Sequence, residues 1–261
     1  MKSERRHELK QNSLIQSLQD LPKLILQYRS QVAVGAIVLA LGLVWLKMHW
    51  NAKAQNLIDA QLNLSEAAVS LNRLQGLNIV PAGSEAAAAE QRSVWFTDGL
   101  HRADDAIAKI GDANPAVRLQ ALLYKGDLNF ALADMPDLPG AATQPSLLPE
   151  LSKTELLDNA QAAYSQVLSE ANGNGYMTTA AHLGLAAVAE DLATAGPTPD
   201  PSQWDTARQQ YQAVIDDPNA ATAYKEYANM RLGSVAFLEQ PPLIGVPPPG
   251  AKPSTTKPTT R

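Results

Sequence analysis

Four histidines, His7, His49, His101 and His182, supply every imidazole in the chain. His101 stands one turn from Asp104 and Asp105, which puts three ligand-type groups on a single helical turn. Ligands confined to one solvated turn form a polar face, not a closed coordination shell. Asn172-Gly173-Asn174-Gly175 has the glycines of a phosphate cradle but lacks the Lys-Ser/Thr that follows in one. It reads as a turn between helices. Asp216-Asp217 precedes Pro218, the mark of a helix end. There is no Cys, which excludes thiol nucleophiles, thiolate metal sites and disulfides. No Ser elbow and no His-Glu-x2-His pair occurs. The expectation is no enzyme: no catalytic residue, no cofactor and no metal.

The elements around these residues point elsewhere. Residues 32–46 carry no polar side chain. That run is shorter than the roughly 20 residues that cross a hydrocarbon core. Its flanks extend it. Lys47 can snorkel, and Tyr28, Trp45 and Trp50 suit the membrane interface. We read residues 31–50 as a transmembrane signal-anchor helix. The competing reading is a cleaved signal peptide, with Ala52-Lys53-Ala54 as the small-x-small site. The long stretch ahead of Val32 argues against it. Before Gln31, Lys2, Arg5, Arg6, Lys10, Lys23 and Arg29 outnumber Glu4, Glu8 and Asp20. Basic excess marks the cytoplasmic side. Residues 1–30 therefore read as a cytoplasmic arm, and the chain beyond the span as exported. In the arm, Leu14, Leu18, Leu21, Ile25 and Tyr28 share one helical face interrupted by Pro22.

Composition fixes the class. Of 261 residues, 45% are hydrophobic but only 5% aromatic. Strand formers are sparse, so the chain should be all-α with a core of small side chains. The net charge is −5. Both ends are basic, so the body between them is more acidic than that figure. Such a body repels phosphate, and no nucleic-acid partner is expected.

Residues 51–83 read as a helical stalk and linker. Trp50, Ala54, Leu57, Gln61, Leu64, Ala68 and Leu71 continue a heptad-like stripe to about Leu74. Gly76 and Pro81-Ala82-Gly83 end it. Residues 84–240 read as helix-turn-helix, with a Pro-rich loop at 135–153. Ser84, Asn114 and Ser202 stand at expected helix starts. Residues 241–261 hold seven prolines together with Lys252, Lys257 and Arg261. This tail cannot bury a core and is expected to be disordered. It could touch cell-wall polymer or simply stay solvated.

One element recurs. Ala160-x3-Tyr164-x2-Val167 matches Ala207-x3-Tyr211-x2-Val214 and, more loosely, Ala103-x3-Ile107-x2-Ile110. Each is followed at near-equal spacing by a second mark. The marks are Leu183-Gly184-x2-Ala187, Leu232-Gly233-x2-Ala236 and the glycine of Leu123-Tyr124-Lys125-Gly126. This pattern resembles the tetratricopeptide repeat (TPR) over residues 97–239. It is degenerate. Lys125 replaces the expected Leu, and Asn129, Ala187 and Ala236 replace the usual aromatic. The whole layout is also similar to bacterial single-span proteins with an exported TPR domain, among them the ancillary SecYEG translocon subunit family. That resemblance implies a single-pass protein of the inner membrane, near protein export or envelope chaperone networks.

A repeat solenoid presents a concave face. By register on the Leu-Gly helices, its lining would be Gln120, Leu123, Tyr124 and Asp127, then Thr178, Ala181, His182 and Leu185, then Tyr227, Met230, Arg231 and Ser234. The Lys, Asn and Arg set with which some TPR domains grip a C-terminal carboxylate is missing. A mostly neutral, apolar face suits an extended or helical peptide. The expected function is a membrane-anchored adaptor or scaffold for proteins or peptides. The alternative is a self-assembling envelope protein, since Gly35, Ala36, Ala40 and Gly42 offer small residues for helix contact in the membrane. An unrecognised enzyme is third.

Overall fold

A computed structural model of the chain describes residues 29–78, 83–136, 151–196 and 200–239, with side chains from residue 37 onward and excepting that of Asn78. The helical face expected in the arm, most of the Pro-rich loop and the tail lie outside the described residues. The all-helical expectation holds. Among the described residues there are seven α-helices and no strands: α1 (Arg29–Gln75), α2 (Glu85–Ile110), α3 (Pro115–Ala133), α4 (Lys153–Glu170), α5 (Gly175–Ala195), α6 (Pro201–Asp216) and α7 (Thr222–Leu238). A short 3-10 turn, Gly76–Asn78, follows α1. The chain divides into two compact units, residues 1–58 and 59–261.

In the first unit, α1 carries the apolar run. Among the residues whose side chains are described, no helix is long and apolar enough to cross a membrane. Residues 32–36, where the run begins, lie outside that set. Within it, Ile37, Val38, Leu39, Leu41, Leu43 and Trp45 are all more than half exposed. Trp45 stacks on His49 one turn later, with ring centroids 5.5 Å apart.

The second unit begins within α1. There Ala60, Asn63, Leu64, Ala67, Ser70, Leu71 and Leu74 are buried. The stripe read from the sequence is therefore rotated. Gln61 is exposed and Ala68 only half-buried. The heptad reading favours large side chains, whereas the interface uses Ala60, Ala67 and Ser70 so that α2 can come close. Gly99 of α2 completes that approach. A Cβ there would lie 3.2 Å from Ser70 Cβ and 2.9 Å from the Leu128 methyls. Polar contacts set the register along this pair. Ser70 Oγ donates to Asp98 at 2.8 Å, Arg102 pairs with Glu66 at 2.9 Å, and Lys109 reaches Asp59 at 3.4 Å. Arg92, buried on α2, donates to the carbonyls of Leu77 at 3.0 Å and Pro136 at 2.8 Å. One guanidinium thus ties the segments that leave α1 and α3 to the same helix. The planar fork of a guanidinium holds two such carbonyls at fixed angles.

Caps account for most helix starts. Asn114 accepts from Val117 N–H, with Pro115 at the first helical position. Ser152 and Glu155 form a reciprocal capping box, and Asn174 caps α5. Two expectations are corrected. Ser84 makes no side-chain capping bond; Glu85 instead accepts from Gly83 N–H at 3.0 Å. The cap of α6 is Asp200, not Ser202. Its carboxylate accepts from the Ser202 backbone at 2.9 Å and hydroxyl at 2.7 Å. Pro201 can open a helix because the first N–H has no intrahelical partner to lose, so the cap falls two residues before the expected Ser202. In the Asn172-Gly173 turn, both residues have positive φ, which reverses the chain within four residues.

From α2 onward each helix packs on the next. Beyond these neighbours, α3 also meets α5 and α5 also meets α7. The recurring small-large-aliphatic triplets are buried at every position except Ile107, which is half-buried. Tyr164 shows what the pattern is for. Its ring lies against Gly126 of α3 and Gly184 of α5, where an added Cβ would sit 2.4 Å and 2.5 Å from ring atoms. Gly233 has the same motif but nothing within 4 Å, because no further helix follows α7 among the described residues. Lys125, out of place in the repeat pattern, donates to Asp104 of α2 at 2.7 Å.

The glycines of one motif should therefore respond in opposite directions. Gly126→Ala and Gly184→Ala overpack the Tyr164 ring and should cost about 1–3 kcal/mol. Gly233→Ala should instead stabilise by about 0.5–1 kcal/mol, through the higher helix propensity of Ala alone. Urea unfolding followed by circular dichroism reads both. Equal effects at all three positions would remove the wedge.

Candidate peptide-binding face

Alternate helices of the stack touch through α3, α5 and α7. The Leu-Gly helices thus share the layer along which alternate helices meet, and glycine is what lets α3 and α5 approach across the Tyr164 ring.

The residues expected to line this face divide into three groups. Leu123, Ala181 and Leu185 are buried in the core, in the same apolar cluster as Tyr164. Asp127, His182 and Arg231 are half-buried and engaged within the fold. Asp127 accepts from the Tyr164 hydroxyl at 2.7 Å. The His182 imidazole lies 2.7 Å from the Gln210 side-chain carbonyl. Arg231 pairs with buried Glu190, which also accepts from the Tyr211 hydroxyl at 2.8 Å. The remaining residues stay accessible. Gln120, Tyr227 and Met230 are exposed, whereas Tyr124, Thr178 and Ser234 are half-buried. Gln120 donates to the Tyr124 hydroxyl at 3.4 Å.

Two aromatic residues on this face escape the sequence reading. Tyr176 at the start of α5 and Tyr224 at the start of α7 have ring centroids 6.4 Å apart, inclined at 55°. Partial burial, together with the nearby Tyr224 and Tyr124 phenols and the Asp127 carboxylate, raises the Tyr176 hydroxyl above the ordinary phenol range. Tyr176 and Tyr224 thus pair across α5 and α7, and the Tyr124 phenol of α3 and the Asp127 carboxylate lie near enough to act on Tyr176, which makes one tyrosine cluster. The available signal is a tyrosine a little over two turns before each of the last two Leu-Gly pairs. Register counting from the glycine alone does not reach that far.

No family model matches the chain, and no curated protein or solved structure is similar to it.

Chemically, the cluster offers flat apolar rings with hydroxyl tips and one carboxylate. Burial pushes the Asp127 carboxyl above its usual range, and the Tyr164 bond only partly offsets this. Burial, then Asp127 itself, holds the Tyr164 phenol well above the ordinary value. No group of three or more His, Cys, Asp or Glu residues able to hold a metal ion occurs among the described residues. His101 turns to Asp105 at 3.6 Å, while Asp104 is taken by Lys125. On the small-residue side of α1, Ala40 is exposed and Gly42 has nothing within 4 Å. The side chains of Gly35 and Ala36 lie outside the described set.

The raised Asp127 carboxyl has a pH signature. In the folded chain it binds its proton more tightly than in the unfolded chain. Its contribution to stability is therefore present below the ordinary Asp range of about 3.9 and is lost as pH rises through the raised value. Asp127→Asn keeps an acceptor for Tyr164 but cannot ionise. Its stability relative to wild type should climb across that window and then level off. Urea unfolding at stepped pH measures the difference. A gap that does not change with pH would assign Asp127 no buried charge.

Proposed function

We propose that the chain is a membrane-anchored adaptor whose inner helical face binds extended or helical segments of other proteins. In this reading the apolar part of α1 is a single inner-membrane span with the N-terminus in the cytoplasm. The second unit is an exported, TPR-like stack, and its place is near protein translocation or envelope chaperone networks. The observation that carries the reading is the tyrosine cluster on the layer where alternate helices meet. Flat rings gathered from three helices provide contact area at low entropic cost and accept many sequences. The apolar side chains of α1 support the span, since among the described residues Ile37, Val38, Leu39, Leu41, Leu43 and Trp45 are more than half exposed. The helix hairpins joined by small-large contacts support the repeat reading. Binding of this kind uses no acid–base pair, and none is needed.

The second reading, self-assembly, draws on the open flank beside Ala40 and Gly42. Photo-crosslinking in intact cells separates the two. A crosslinking residue at Tyr227 or Gln120 should capture envelope or exported proteins. One at Gln161, exposed on α4 away from the inner layer, should not. Tyr176→Ser should lower capture at Gln120 several-fold while leaving the thermal midpoint in place. Equal capture at Gln161 would sink the adaptor reading. Adducts consisting only of further copies of this chain would carry self-assembly in its stead.

A further inference from the structure

The inner face is aromatic, beside a carboxylate, and it continues onto an unusual last helix. On α7, Tyr227, Met230, Phe237 and Leu238 are all exposed, Phe237 at 80%. Only Ala228 and Val235 of this helix are buried. A terminal member of a helical stack ordinarily turns a polar side outward. This one presents an apolar stripe running from the tyrosine cluster to its own C-terminus. Beyond Glu239 and Gln240 the chain reads Pro241, Pro242, Leu243, Ile244, Gly245 and Val246, followed by three consecutive prolines, 247–249.

We propose that residues 241–261 fold back along α7 and occupy the tyrosine face of the same molecule. Two independent matches select this occupant. The first is apolar. Leu243, Ile244 and Val246 are the side chains nearest in sequence to the exposed Met230, Phe237 and Leu238. The second is geometric. α7 has 17 residues, so it is about 25 Å long at 1.5 Å per residue. A polyproline II strand advances about 3.1 Å per residue, so about eight residues run from the end of α7 back to the level of Tyr224. The prolines at 247–249 then arrive where the rings begin. Three residues per turn align Pro247 with Pro253 and Pro249 with Pro258 on single edges. Aromatic-lined surfaces recognise that conformation because it is preformed and costs little entropy.

The tail then acts as a resident ligand. An outside segment must displace it, so only chains that compete with a tethered proline-rich strand are held. High local concentration favours the tether. This proposal rests on the reading of the inner face as a peptide-binding surface, but it requires no outside partner. Its readout is therefore separate from captured adducts.

The chain has no Cys, so two introduced cysteines carry spin labels at chosen positions only. With labels at Gln120→Cys and Thr255→Cys in the full chain in nanodiscs, electron–electron dipolar spectroscopy should give a short, narrow distance distribution. It should broaden when Tyr176 and Tyr224 are both replaced by Ser. It should broaden likewise when Pro247, Pro248 and Pro249 are replaced by Ser, a change outside all seven helices that leaves the stack intact. A broad distribution in the parent that neither set of substitutions alters would overturn the proposal. So would a narrow distance that disappears on dilution with excess unlabelled chain, since that assigns the face to the tail of a second copy.

Discussion

One ring fixes the spacing of the helical body. Tyr164 on α4 fills the gap between α3 and α5, bounded by Gly126 on one side and Gly184 on the other. Any side chain at either glycine would force α3 and α5 apart. The ring also holds a direction, because its hydroxyl donates to Asp127 on α3. A buried aromatic gives area, and a hydroxyl with one fixed acceptor gives orientation. The position of α5 relative to α3, and with it the layer shared by the Leu-Gly helices, comes from this single placement.

Around that wedge the core is rich in alanine, and alanine packs in many registers with little to choose between them. Directional contacts make the choice. Arg118 of α3 meets Glu170 of α4 through two nitrogens, at 2.7 and 3.1 Å. Lys125 reaches back to α2 and Arg92 to the ends of α1 and α3. Glu190, buried on α5, gathers Tyr211 of α6 and Arg231 of α7 at one point. A charge buried with two partners is costly to disrupt and so specifies one arrangement of three helices. Apolar contact supplies the stability, and these groups select the register.

Much of the fold is legible in the sequence. The triplets built on Ala103, Ala160 and Ala207 give helices, faces and pairing, because a small residue one turn from a large one has few uses other than close packing. Turn chemistry places the breaks at Asn114-Pro115 and Asn172-Gly173. The departures have local reasons. The stalk register differs because Ala60 and Ser70 contribute by being small, which hydropathy does not reward. The α6 cap lies at Asp200 and not at Ser202, because Asp200 stands ahead of a proline that can open a helix. The candidate face is half legible. Gln120, Tyr124 and Tyr227 are accessible as read. Arg231 and His182 are drawn to partners on neighbouring helices, which no single-helix register can reveal. Tyr176 and Tyr224 meet only because α5 and α7 begin side by side.

The open flank at Gly233 makes the stack directional. Interior helices are gripped from two sides, but α7 rests on α6 and touches α5, and it buries two side chains. In a linear array each member draws stability from its neighbours, so the member with fewest neighbours opens most often. Among the described helices, local unfolding should therefore start at the C-terminal end whenever nothing covers α7, and stop at the Tyr164 wedge. The last hairpin is then a hinge of low cost, able to loosen while α2 to α5 stay closed, and the half of the tyrosine face nearest α7 is its adaptable half.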